Sequence, residues 1–109
     1  MEVFNIGDFK DGWFIGNFEP SILQTPEFEI SIKYFTKGDI EMLHYQEKAT
    51  EYTIVIVGRI KLCEQIFSPK NIIAIYPNEE CAFEALDDSI LVCIKAPSIP
   101  SDKKISKLK

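Results

Sequence analysis

The chain has 109 residues, is 46% hydrophobic and carries a formal net charge of −5. That is apolar material for one domain with one core, which excludes a disordered segment and a multidomain assembly. No apolar run reaches the ~20 residues of a membrane-spanning helix, and residues 1–5 lack the positive start and apolar stretch of a signal peptide, so the expected location is cytoplasmic.

In chain order, residues 1–27 read as an N-terminal strand or arm. Trp13, Phe14 and Phe18 cluster in it, either to close a barrel end or dimer interface or to stack on a sugar ring. Between Pro20 and Pro26 there is room for about one helical turn. Residues 28–35 alternate: Phe28, Ile30, Ile32 and Tyr34 share one face, and Glu29, Ser31 and Lys33 the other. That pattern predicts a strand with its apolar face buried. A turn at 36–39 leads to a short strand at 40–44, and 46–50 is a polar loop. Residues 51–57 are apolar on both faces, which predicts a central strand covered on both sides. Gly58-Arg59 is read as a tight turn, with 60–63 completing a hairpin. Turns at 68–71 and 77–79 bracket a strand at 72–76. Residues 81–86 and 89–95 form a final pair around Asp87-Asp88. Residues 97–109 read as an extended, then frayed, tail. Short strands at roughly 8–12-residue spacing predict an all-β fold, an antiparallel sandwich or barrel over 28–96.

Residues 1–100 hold 8 Lys or Arg against 16 Asp or Glu. This acidic body offers no basic face for phosphates, so no nucleic acid is expected as a partner, and no membrane. The lysines of the tail, Lys103, Lys104, Lys107 and Lys109, read as a solvated terminus. The three cysteines, Cys63, Cys81 and Cys93, are odd in number and form no CxxC pair. They are read as reduced, buried thiols. Gly-rich phosphate loops, nucleophile elbows and HExxH are all missing, which excludes dinucleotide, NTP, esterase and zincin chemistry.

His44 is the one histidine. Gly38 precedes it by six positions, Gln46 and Glu51 follow it, and Gly58 closes the segment. This stretch resembles the first motif of the cupin family, G(X)5HXH(X)3–4E(X)6G, at every gap, with Gln46 replacing the second histidine. The second cupin motif, G(X)5PXG(X)2H(X)3N, fits poorly. The preferred register puts Lys70 and Asn78 at its glycines, Tyr76 at its proline, Cys81 at its histidine and Ala85 at its asparagine. The resemblance implies an all-β cupin jelly-roll barrel of two antiparallel sheets, RmlC-like and usually dimeric. More loosely, the chain is similar to cupin-like proteins of surface-polysaccharide gene clusters.

The resemblance also implies a pocket at the barrel mouth. His44, Gln46, Glu51 and Cys81 would be its metal ligands, and Phe83 and Tyr34 would join them around a small molecule. One divalent metal (Fe, Mn, Ni or Zn) would sit there, or none, since two of three histidines are missing and an amide oxygen is a weak ligand. Three readings follow. The first is a small-molecule-binding cupin holding a sugar or nucleotide sugar, in polysaccharide biosynthesis. The second is a metal-dependent isomerase, epimerase or dioxygenase using His44 and Glu51. The third is an interaction protein whose dimer surface is the functional part. A metal-free epimerase would pair His44 as base with one of Tyr34, Tyr45, Tyr52 or Tyr76 as acid. A homodimer is expected, because so small a barrel cannot hide this many aromatics.

Overall fold

The computed structural model describes residues 1–106; Lys107 and Lys109 of the tail lie outside the described residues. The described residues form ten strands: β1 (Trp13–Ile15), β2 (Glu29–Phe35), β3 (Ile40–Gln46), β4 (Thr50–Val57), β5 (Ile60–Leu62), β6 (Gln65–Phe67), β7 (Ile72–Ile75), β8 (Cys81–Ala85), β9 (Ser89–Ala96) and β10 (Lys103–Ile105). They build two antiparallel sheets, ordered β1-β2-β9-β4-β7 and β10-β3-β8-β5-β6. This is the two-sheet jelly roll that the strand spacing and the motif predicted. No helix among the described residues is long and apolar enough to cross a membrane.

The chain crosses between sheets where the sequence reads as hairpins. β4 and β5 belong to different sheets, and so do β8 and β9. Gly58-Arg59 and Asp87-Asp88 are therefore corners, and they interlock. Gly58 has φ +80, and a Cβ there would run into the Asp88 carbonyl oxygen. The Asp87 carboxylate accepts from the backbone N–H and the guanidinium of Arg59. Those hydrogen bonds hold the Asp87 carboxyl below its ordinary range. The hairpin partner of β5 is β6, through Cys63 and Glu64, both at positive φ. Such φ values suit a two-residue hairpin turn.

As far as Ser106 the tail is part of the fold. β10 pairs with β3, setting Lys103 opposite Gln46 and Ile105 opposite His44. Asp102 is buried, and its carboxylate accepts from the backbone N–H groups of Lys48 and Ala49. The β3–β4 loop is held by that carboxylate. In the N-terminal segment no helical turn forms at 18–25; two short 3-10 turns lie at Ile6–Asp8 and Lys10–Gly12 instead. β1 then joins the edge of β2. Gly12, at φ +76, sits where a Cβ would strike the Ile32 carbonyl oxygen, so only glycine brings the arm so close to β2.

The largest departure is the phase of the first sheet. Glu29 and Ser31 are buried, whereas Tyr34 is 63% exposed. On β4, Thr53 and Val55 are buried, and Tyr52 and Ile56 are exposed. β9 has the same pattern, with Ser89, Leu91 and Cys93 buried and Ile90, Val92 and Ile94 only half-buried. The polar face of β2 therefore points into the barrel and its apolar face points out. β4 is an interior strand of its sheet, between β9 and β7, but is covered on one face only. Across both sheets the interior grades from polar on β2 and β3 to apolar on β5 and β7. The core of Val55, Ile60, Leu62, Ile75, Phe83, Ala85 and Leu91 fills the apolar side.

Candidate functional site

β3 carries a bulge. Glu41 pairs with Phe83 and His44 with Cys81, so three steps on β3 match two on β8. The extra residue shifts the alternation. Glu41, His44 and Gln46 then line the interior, while Ile40 and Met42 are exposed. Strict period two would have put Glu41 outside.

The small interior chamber, about 30 Å³, is lined by His44, Gln46, Glu51, Thr53, Cys81 and Phe83 among others. Five of the six residues expected at the pocket thus share one wall system. The sixth, Tyr34, lines a separate and larger cleft of about 910 Å³. That cleft lies between the barrel and the N-terminal arm, with Trp13, Phe18, Glu29 and Lys95 on its walls. Lys33, Phe35, Glu41 and Lys103 line both, so chamber and cleft adjoin. Of the other tyrosines, Tyr52 and Tyr76 are exposed, and Tyr45, between His44 and Gln46 on β3, also borders the chamber.

Each chamber group has a definite state. His44 Nδ1 lies 2.8 Å from the Met42 carbonyl oxygen. A carbonyl only accepts, so Nδ1 carries the proton, and Nε2 is the ring nitrogen left for a further partner. Gln46 is 3% exposed, and its Nε2 has no hydrogen-bond partner. Glu51 is committed: Thr53 Oγ1 donates to its Oε2 at 3.2 Å, and Lys95 Nζ stands 3.9 Å from its Oε1. Lys33 stands 3.8 Å from Glu41 in the same way. At those distances the ammonium groups pair by charge and make no hydrogen bond. Both lysines also sit over the Trp13 ring, at 5.2 and 4.9 Å from its centroid. The indole, delivered by β1, thus positions the two cations.

Cys81 is bonded to Cys63, with a Cα separation of 4.4 Å. This corrects the expectation of three reduced thiols. As half of a disulfide, Cys81 has no thiolate to give a metal. Cys93 is the free thiol, and burial, reinforced by the Glu51 carboxylate, pushes it up to about 12. It is a neutral wall residue. As arranged, the expected donor set does not fit a divalent metal. One imidazole nitrogen is free, the carboxylate is held by Lys95 and Thr53, and among the described residues no three His, Cys, Asp or Glu converge on a point.

The motif positions show why the second motif is hard to read. Lys70 and Asn78, standing at its two glycines, have φ +83 and +69. The backbone keeps the glycine conformation although the glycines are gone. Lys33, Lys95, Glu29 and Glu41 were missed as site residues. The signal that finds the first three is the inward placement of Glu51, which fixes the phase of the whole sheet.

No family model and no curated protein matches the sequence. Solved structures do. An uncharacterized conserved protein with a double-stranded β-helix domain from Klebsiella pneumoniae is similar at a TM-score of 0.72 and 13% identity, over 97% of this chain and 92% of that one. PAC13 from Streptomyces, in a variant crystallised with uridine, is similar at 0.63 and 14% identity, over 76% and 71%. The pirin YhhW from Escherichia coli, in complex with nickel(II), is similar at 0.65 and 15% identity, over 80% of this chain and 39% of that one. Further neighbours are described as RmlC-like cupins. The chain has the cupin fold.

Proposed function

We propose that the protein is a small-molecule-binding cupin that takes a sugar or nucleotide sugar, with one ligand hydroxyl inserted into the inner chamber. One observation carries this reading: among the described residues Gln46 Nε2 is a buried donor without a partner, and it lines one chamber of about 30 Å³ together with His44, whose Nδ1 is taken by the Met42 carbonyl and whose Nε2 makes no hydrogen bond among the described residues. A hydroxyl donates once and accepts, so it satisfies both. The chamber admits a hydroxyl or a water and little more. The remainder of the ligand would lie in the cleft of about 910 Å³, the size range of small-molecule sites. Lys33, Lys95 and Lys103 there face Glu29 and Glu41, which suits a ligand with alternating donors and acceptors. The uridine bound to PAC13 is consistent with a nucleoside-bearing ligand in this fold.

The test is thermal stabilisation by a panel of free sugars and nucleotide sugars, on the wild type, His44→Ala and Gln46→Leu. A shift in the wild type that both variants abolish supports the reading. The absence of any shift at millimolar ligand refutes it.

A metal-dependent isomerase, epimerase or dioxygenase is the second reading. Its requirement is an open disulfide, because Cys81 lies directly opposite His44 in the β3–β8 ladder. Elemental analysis of reduced protein beside His44→Ala decides it. About one metal per chain, lost in the variant, is its signature. We also read the protein as homodimeric, through the surface argued next.

A further inference from the structure

Among the described residues, the outer face of the first sheet holds no charged side chain. Its rows run Ile30–Ile94–Tyr52–Ala74, then Ile32–Val92–Ile54–Ile72, then Tyr34–Ile90–Val57, by the cross-strand register of β2, β9, β4 and β7. Eleven apolar side chains form a continuous patch four strands wide. Tyr34 is 63%, Tyr52 38%, Val57 46% and Ile72 67% exposed, and Ile56, in the bulge of β4, is 48%. The outer face of the second sheet differs. Its row Ile40–Glu84–Lys61–Ile66 sets two charged residues between two isoleucines, the pattern of a face that meets water.

From this we infer that the outer face of the first sheet, centred on Ile54 and Val92, is the interface at which two copies of the chain pack sheet on sheet. The inference deepens the homodimer reading by naming its surface, and it is tested apart from the sugar pocket because its central residues Ile54 and Val92 line neither the chamber nor the cleft, although Ile32 and Tyr34 at its β2 edge also border the cleft.

Three arguments select a second copy as the occupant. The first is area. At about 200 Å² for a fully exposed large side chain, the five most exposed residues present about 500 Å², and the half-buried ones raise this to about 700 Å². That matches the roughly 800 Å² that each partner contributes to a standard interface, and it exceeds the few hundred Å² of a typical monomer patch. The second is charge. The chain carries −5, so a copy of itself approaches most easily through a face that bears none. An anionic membrane surface would meet the same repulsion without a basic patch to offset it. The third is shape. A sheet face without a groove suits an equal sheet face, packed about 10 Å away, and a two-fold pairing needs one self-complementary patch.

The experiment is sedimentation equilibrium of the full chain at micromolar concentrations, with Ile54→Lys and Val92→Lys. The wild type is expected at twice the 12.5 kDa chain mass. Near the two-fold axis each lysine meets its own copy, so both variants are expected to dissociate at least about 100-fold more readily. Near-UV circular dichroism reports whether they fold. Should either fail to fold, Ile72→Lys and Val57→Lys place a charge on exposed positions of the same face that line neither the chamber nor the cleft. A monomeric wild type overturns the inference, and so does a dimer that persists in folded variants. A monomeric variant that still gives the sugar-induced thermal shift separates this surface from the pocket.

Discussion

The Cys63–Cys81 disulfide ties the β5–β6 turn to β8 across a sequence separation of 18. Closing a loop of that length removes about 3 kcal/mol of conformational freedom from the unfolded chain. Spread over 109 residues at about 2.1 cal/mol/K each, the unfolding entropy is about 230 cal/mol/K, so opening the bond should lower Tm by about 13 °C. Cys63→Ser is the cleaner perturbation, because position 63 is half-buried in a turn. Cys81 stays behind as a buried thiol that needs no hydrogen-bond partner. The assay pairs thermal melts, with and without reductant, with alkylation and intact mass. Denatured wild type without reductant should take up one alkyl group, on Cys93, and three after reduction. Cys63→Ser should melt like the reduced wild type, and reductant should not shift it further. Three alkyl groups without reductant, or a Tm that ignores both reductant and mutation, would refute the reasoning.

Three further outcomes follow from single residues. Lys70 holds φ +83 at a position the cupin motif gives to glycine. Lys70→Gly should stabilise the fold by about 1 kcal/mol, or roughly 4 °C in Tm, and a lower Tm would show that the left-handed backbone costs nothing there. Gln46→Leu removes a buried donor without a partner. It should raise the ligand-free Tm by the equivalent of about 1 kcal/mol while abolishing the sugar-induced shift, and a loss of stability would show that the amide is already satisfied. The Cys93 thiol is raised from 9.0 to about 12 in the fold. Between those values the unfolded chain releases a proton that the folded chain keeps. Stability attributable to this group is therefore whole below pH 9 and falls above it, by up to about 1.4 kcal/mol per pH unit. Urea midpoints of wild type and Cys93→Ala, compared across that range, should converge at the alkaline end; parallel curves would remove the thiol from the account.

The strands and turns were legible because each depends on local chemistry. Alternation marks 28–35, and Pro, Gly, Asn and Asp mark the corners. What local chemistry does not carry is which sheet a strand joins. Gly58-Arg59 reads as a hairpin turn because two residues suffice for one, and only the approach of Asp88 turns it into a corner between sheets. β6 and β10 have three residues each, too few for a period to appear. The disulfide was not legible because its partners are 18 residues apart on strands that the hairpin reading kept separate. The motif spacing brought His44, Gln46 and Glu51 to one chamber, since an (i, i+2) pair on a strand shares a face whatever the fold around it.

The reversed phase of the first sheet joins the pocket to the outer surface. Taken alone, 28–35 is best read with Ile30 and Ile32 inside, because burial of apolar area dominates folding. Yet the cupin-like segment places Glu51 inside, and register then leaves no choice. Glu51 lies opposite Lys95 on β9, and Lys95 lies opposite Glu29 on β2. A strand slipped by one residue would reverse every side chain in its row. One inward carboxylate thus commits Glu29, Lys33 and Lys95 to the interior and nine isoleucines, valines and tyrosines of β2, β4 and β9 to the outside. Charges buried at the mouth have to be paired, and Lys33–Glu41, Lys95–Glu51 and Ser98–Glu29 supply the partners. The apolar area turned outward has no partner among the described residues of the chain. A protein that builds a polar pocket by inverting a sheet in this way needs a second surface to cover the other face, and an identical copy brings one of equal size and no charge.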